Sequence, residues 1–153
     1  VDGVIDALNV SPEAQRRAIG GWSMGGFGSI RFLLAYPDMF STWGGIVGLV
    51  DWPNPDYPEE DNYAVPDILG PAEDAVAWNP MNDVARLKAK HLFLFTGSTA
   101  FDRKMNEAFA ERLEAEQILH ELHVLEGGHT FDVVAEALPE LFDRFHAAVA
   151  AGK

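Results

Sequence analysis

No cysteine occurs anywhere in the 153 residues, which excludes disulfides, thiolate nucleophiles and cysteine-bound metals. Basic residues are scarce too: 11 Lys and Arg stand against 24 Asp and Glu, a formal net charge of −13. A chain this acidic repels phosphate backbones and anionic bilayers, so neither nucleic acid nor membrane is expected as a partner. The acidity itself reads as a solubility feature. No apolar run approaches the roughly 20 residues that a membrane helix needs, and the first residues lack the basic-then-apolar pattern of an export signal. These absences leave a soluble protein, cytoplasmic or secreted, since the lack of cysteine does not decide the compartment. What the chain does have is core material. It is 48% hydrophobic, with ten Phe, four Trp and three Tyr, which suits one globular domain over residues 1–153.

Strand and helix signals alternate along it. Val1 to Leu8 reads as the tail of a helix, and Ser11-Pro12 as a cap and first helical residue of one short turn. Ala18 to Trp22 is a short apolar strand, and Gly25 to Tyr36 a buried helix that stops at Pro37. Trp43 to Val50 reads as a second strand. Asn79-Pro80 opens a helix to about Lys88, and His91 to Thr96 is a third strand. Phe101, Met105, Phe109 and Leu113 follow four apart, the stripe of an amphipathic helix. Ile118 to Leu125 is a fourth strand. A last helical region, split by Pro139, has Leu141, Phe142, Phe145, Ala148 and Val149 on one face. Such alternation predicts βαβ units: about four parallel strands flanked by helices.

The segment 51–78 breaks the pattern with five prolines, eight acids, four aromatics and no Lys or Arg. Long irregular segments are usually functional or disordered, and the aromatics argue against disorder. It reads either as an acidic, aromatic cap over a site, with Trp52 and Tyr57 joining Trp22 as pocket candidates, or as an excursion pinned by aromatics that only pack.

A serine hydroxyl becomes a nucleophile only when a base takes its proton, and that base needs an acid to orient it. Gly21-Trp22-Ser23-Met24-Gly25 supplies the serine. The pattern G-x-S-x-G is weak alone, but here it joins a predicted strand to a predicted helix, the setting of a nucleophile elbow. Side chains at Gly21 and Gly25 would collide with the neighbouring strand and helix. Of the five histidines, His129 follows Gly127-Gly128 directly after the fourth strand, on the strand end where catalytic groups of parallel sheets gather. His91, His120, His123 and His146 lie at a strand start, within a strand or in the last helix, where packing and surface roles suffice. Asp102 follows the third strand on the same edge. It is either the orienting acid or a cap for the helix starting at Arg103, and Asp51, just after the second strand, is the alternative acid.

GWSMGGFGSIRFLLAYPDMF, NPMNDVARLKAKHLFLFTG and LEGGHTFDVV together resemble the esterase branch of the α/β-hydrolase superfamily, with its S-formylglutathione hydrolases, feruloyl and cinnamoyl esterases and related acyltransferases. The likeness spans nearly the whole chain. It implies an α/β-hydrolase fold, Ser23 as nucleophile, His129 as base, the Met24 backbone N–H as one oxyanion donor, and no metal or organic cofactor. In one respect the chain departs: relatives commonly carry the acid directly before the phenylalanine matching Phe101, where this chain has Ala100, so Asp102 needs a shifted loop.

The resemblance also implies that the four strands form the C-terminal portion of a larger sheet. The second oxyanion donor would come from a loop upstream of Val1, and the Ala18 to Trp22 strand would expose an edge. The expected partner is the N-terminal half of the same hydrolase, or a dimer mate, covering that edge. The expected activity is carboxylic-ester hydrolysis through an acyl-enzyme on Ser23, with acyl transfer or a non-catalytic binding module as alternatives. The aromatic, acidic 51–78 segment favours an aromatic or sugar-linked acyl ester over a strongly anionic substrate.

Overall fold

Four short apolar segments supply the frame. In the computed structural model, which describes residues 11–58, 72–88 and 90–151, they form one sheet. The helix expected over Val1 to Leu8, and Tyr63 with the middle of the 51–78 segment, lie outside the described residues. Strands β1 (Ala18–Trp22), β2 (Thr42–Ile46), β3 (His91–Gly97) and β4 (His120–Leu125) run parallel in the spatial order β1-β2-β3-β4. Their register pairs Trp22 with Ile46, Ile46 with Phe95, and Gly97 with Leu125. All four C-terminal ends therefore reach one edge, and the loops leaving them are neighbours.

Helix α1 (Met24–Ala35) follows β1, α2 (Ala72–Ala75) lies within the excursion, α3 (Arg103–Ala115) follows β3 and α4 (Phe131–Ala151) follows β4. The alternation of side chains along each strand divides the core in two. On one face Trp43, Leu92 and Leu94 pack against Ile30, Leu33 and Leu34 of α1 and Phe109 and Leu113 of α3. On the other, Ile46, Phe93 and Phe95 meet Val133, Ala137 and Leu141 of α4. The expected parallel sheet with helices on both sides is what forms. Among the described residues no helix is long and apolar enough to cross a membrane.

Several boundaries differ from the sequence reading. Strand β2 ends at Ile46 rather than Val50, because Val47, whose N–H makes a last bond to Phe95 O of β3, turns to φ 43° and breaks the extended backbone. Ile118 and Leu119 precede β4 instead of joining it. The single turn near Ser11-Pro12 is a 3-10 turn at Ala14–Arg16, and Ser11 Oγ accepts the Glu13 N–H. Pro80–Leu87 is a 3-10 helix capped by Asn79, whose Oδ1 accepts the Met81 N–H. Three-residue turns set Val84 and Leu87 on one buried side. Pro139 does not split the last helix: α4 continues through it, since the proline lies on the exposed side while Val133, Ala137 and Leu141 anchor the buried one.

The root of the 51–78 excursion is tied by a carboxylate. Asp51 is buried, and its Oδ1 accepts from Asn79 Nδ2 at 2.8 Å while Oδ2 accepts from Tyr57 Oη at 2.7 Å and Asn54 Nδ2 at 3.0 Å. Trp52 is wholly buried, edge-on to Phe27 with centroids 5.0 Å apart. Its large ring fills core, which corrects its reading as a pocket residue.

The sheet tolerates α4 at close range only because Gly44 has no side chain. A Cβ there would stand 2.3 Å from Leu141 Cδ1 and 2.9 Å from two Phe145 ring carbons. Gly44→Ala is expected to destabilise the fold by about 1–3 kcal/mol through overpacking. The midpoint of urea unfolding measures it, and an unchanged midpoint would show that α4 gives way freely.

Candidate active site

A sharp turn joins β1 directly to α1 at Ser23. Ser23 adopts φ 52° and ψ −123°, a left-handed backbone that costs about 1–3 kcal/mol for a residue with a Cβ. Three backbone hydrogen bonds hold it: its N–H donates to Ile46 O at 3.0 Å, and its carbonyl accepts from Phe27 N at 3.2 Å and Leu49 N at 3.4 Å. Gly21 makes room, since a Cβ there would lie 2.4 Å from the Gly25 carbonyl. Gly25 does not share that burden. A Cβ at Gly25 meets nothing within 4 Å, so the collision expected from its own side chain is absent, and its backbone is what must come close.

The turn lifts Ser23 Oγ to 2.8 Å from His129 Nε2, and His129 Nδ1 lies 2.7 Å from Asp102 Oδ1. Asp102, wholly buried, accepts at Oδ2 from Thr96 Oγ1 at 2.8 Å and Asn106 Nδ2 at 3.0 Å. A carboxylate beside Nδ1 accepts the proton of that nitrogen, which leaves Nε2 as acceptor for the Ser23 hydroxyl. Residues 79 and 106 positions apart in sequence from Ser23 thus form one continuous hydrogen-bonded row.

Asp102 occupies the N-cap position of α3, yet its side chain makes no capping hydrogen bond. It turns instead toward β3 and the β4–α4 loop. The turn 98–102, which carries Ala100 and Asp102, is stapled to the loop carrying His129. Ser98 N donates to Leu125 O at 2.7 Å and Thr99 N to Gly127 O at 2.8 Å. Asp51, the alternative acid, is corrected: its oxygens are engaged by Asn54, Tyr57 and Asn79, not by His129.

Aromatic rings enclose the imidazole. Phe101 stacks on it with centroids 4.6 Å apart, and Trp22 lies tilted at 5.9 Å. Trp22 also meets Phe131 at 4.7 Å. Trp22, 38% exposed, and Phe131, 70% exposed, are open to a ligand beside His129, whereas Tyr57 gives its hydroxyl to Asp51. The Met24 N–H opens α1 next to Ser23, and first-turn N–H groups have no acceptor within their helix. Among the described residues no cluster of His, Asp and Glu is arranged to hold a metal ion.

Thr96, Asn106, Phe101 and Phe131 belong to this site and escape the sequence reading. For Asn106 a signal exists: it lies four residues after Asp102, one helical turn onward on the same face. Thr96 lies near the end of a buried apolar strand, where a hydroxyl needs a partner.

Gly97 governs how closely the two loops approach. A Cβ there would lie 2.4 Å from Gly127 O and 2.6 Å from Gly128 O. Gly97→Ala is expected to push the His129 loop outward, lowering stability by about 1–3 kcal/mol and weakening the His129–Asp102 contact. Chemical denaturation together with the low-field proton signal of the His129 Nδ1–H reads both effects.

Comparison with known proteins agrees with the fold. The family model described as "Putative esterase" matches residues 3–145, and the chain belongs to that family. No curated protein sequence matches it. A ferulic acid esterase superposes with a TM-score of 0.79 at 20% identity, covering 97% of this chain and 57% of its own. The S-formylglutathione hydrolases of Staphylococcus aureus and Agrobacterium tumefaciens superpose with TM-scores of 0.69 and 0.71 at 20% and 15% identity. They cover 97% and 96% of this chain, and 57% and 54% of their own. The shared fold is that of α/β-hydrolases, and this chain spans somewhat over half the length of those proteins.

Proposed function

We propose that this esterase-family chain carries the reacting half of a serine hydrolase that cleaves carboxylic esters through an acyl-enzyme on Ser23. One observation carries the reading: the row Ser23 Oγ, His129 Nε2, His129 Nδ1, Asp102 Oδ1, with contacts of 2.8 and 2.7 Å, starting from a serine on a strained strand-to-helix turn. In this mechanism Ser23 Oγ attacks the ester carbonyl while its proton passes to His129 Nε2, and Asp102 stabilises the imidazolium. The Met24 N–H donates to the oxyanion as the carbonyl becomes tetrahedral. Collapse expels the alcohol, which takes the proton from His129. Water then gives its proton to the same nitrogen as it attacks the acyl-Ser23 carbonyl, and collapse of this second tetrahedral intermediate breaks the bond to Ser23 Oγ, which takes the proton back from His129 as the acid leaves. Phe101, stacked on the imidazole, keeps water from that side, and the exposed Trp22 and Phe131 rings favour an aromatic or other apolar acyl or alcohol group.

Treatment with an organophosphonate is expected to add one phosphonyl group at Ser23, and Ser23→Ala or His129→Ala to abolish it. Ester turnover by the active assembly is expected to fall by about 10⁶-fold in kcat in either variant. An unlabelled Ser23, or turnover indifferent to Ser23→Ala, would replace this reading with that of a non-catalytic binding module. A product assay with competing alcohols separates hydrolysis from acyl transfer on the same serine.

The partner reading rests on the outer side of β1, which pairs with no other strand among the described residues. That strand ends the described sheet, and beside it runs a groove of about 460 Å³ lined by Ala18, Gly20, Trp22, Leu138, Phe142 and Phe145. A further strand-bearing segment of the hydrolase, laid along β1, would cover it and bring a second oxyanion N–H, a donor whose loss typically costs about 10²–10³ in rate. Native mass spectrometry of the protein from its source is expected to show a species heavier than 16.8 kDa. A fully active 16.8 kDa monomer would overturn the partner but leave the serine chemistry standing.

A further inference from the structure

Asn106 lies one turn into α3, completely buried, and no step of the chemistry above employs it. Its amide nitrogen stands within hydrogen-bond distance of three acceptors: Gly48 O at 2.9 Å, Asp102 O at 3.0 Å and Asp102 Oδ2 at 3.0 Å. A group with two N–H donors suits such surroundings, and a carboxylate would be repelled by them. The other end of the side chain, Oδ1, is buried with no hydrogen-bond partner. A residue present only to fill space would be apolar and leave no such orphan. The unmet acceptor is tolerable where the donor end of the same amide is required.

The acceptors belong to two different parts of the site. Gly48 sits between Val47, at φ 43°, and Leu49, whose N–H reaches the Ser23 carbonyl. Asp102 faces His129. Asn106 therefore ties the turn behind the serine to the carboxylate behind the histidine. With Thr96 Oγ1 as the second donor to Oδ2, it also sets the plane of that carboxylate. The terminal torsion of an aspartate is soft, so without these donors Oδ1 is not held facing His129 Nδ1.

We propose that Asn106 is a positioning residue of the Ser23–His129–Asp102 row, holding the Asp102 carboxylate and the Gly48 turn in one fixed relation. Its catalytic consequence rests on the hydrolase reading, while its geometric consequence does not. Two variants test it. Asn106→Leu keeps most of the volume and removes both donors. It is expected to fold, to lose about 10²-fold in kcat from a displaced carboxylate, and to keep KM within about twofold because no substrate contact is lost. The His129 Nδ1–H resonance is expected to move or broaden. Asn106→Asp keeps the shape but sets a second carboxyl 3.0 Å from Asp102 Oδ2. Two buried carboxylates that close do not both ionise, so a shared proton supplies the missing donor until rising pH removes it. This variant is expected to work near the wild-type rate at low pH and to show an alkaline fall that the wild type lacks.

A purely structural Asn106 predicts losses independent of pH. A folded Asn106→Leu with wild-type kcat and an unmoved resonance overturns the proposal, as does an Asn106→Asp profile parallel to the wild type. Should Asn106→Leu fail to fold, the isosteric Asn106→Asp decides alone. A wild-type protein that takes no phosphonate defeats the hydrolase reading instead, and the imidazole resonance of the variants still judges the geometry.

Discussion

A carboxylate with no exposed surface organises this end of the molecule. Burying an ionised group costs several kcal/mol unless donors surround it, and Asp102 finds its donors on three separate elements. Thr96 comes from the end of β3, Asn106 from the first turn of α3 and His129 from the loop after β4. None is adjacent to the others in sequence. Satisfying the charge therefore demands that β3, α3 and the β4–α4 loop meet, and the parallel register that brings Gly97 opposite Leu125 lets them do so. The demand for charge compensation and the alignment of the imidazole are one constraint. The same oxygen arrangement that stabilises the fold fixes which nitrogen of His129 faces the serine.

Backbone strain is concentrated on the opposite side of that imidazole. Ser23 and Val47 both have positive φ, and Val47 is β-branched, for which such a conformation is unusual. The two turns brace each other, because the Ser23 N–H reaches Ile46 O, the Val47 N–H reaches Phe95 O and the Leu49 N–H reaches Ser23 O. Burial completes the support: Val47, Leu49 and Val50 are wholly buried. Strain of a few kcal/mol persists only where packing over-determines it. The side chain that benefits is the serine, presented outward at the strand end.

Fold and site differ in how much of them can be read from residues alone. Apolar runs such as HLFLFTG and the Met105, Phe109 and Leu113 stripe of α3 declare their elements because burial imposes a period, although Phe101, read as part of that stripe, precedes the helix and stacks on His129. Ser23 and His129 are legible because glycines mark turns whose steric needs are local. Asp102 is legible only as a choice, since an aspartate before a helix serves equally well as a cap. What decides is the direction of its side chain, set by partners 6, 4 and 27 residues away. Trp52 misleads for a related reason: an aromatic in an irregular, acidic segment resembles a pocket wall, and only its edge-on contact with Phe27 assigns it to the core. The end of β2 is hidden because Val47, a strand-former by composition, takes a positive φ of 43° where the chain turns away behind Ser23.

The two outer strands of the described sheet are built differently. Along β4, Glu121 forms an ion pair with Arg144 of α4, His123 lies within polar contact of Glu121 and Glu140, and His123 stacks on Phe95 at 4.6 Å. Charges on an outer strand discourage another strand from adding there. β1 carries no charged residue at all: it reads Ala-Ile-Gly-Gly-Trp, and α4 lays the exposed Leu138 and Phe142 beside it. An edge of that composition in water is a pairing hazard, while the same edge continued by another strand is ordinary sheet interior. The strand in question leads directly into Ser23. On the proposed hydrolase reading, a strand added along it would lie beside the turn that carries Ser23 and the Met24 N–H. The proposed strand partner and the proposed serine chemistry therefore bear on the same end of the sheet, and a test of one informs the other.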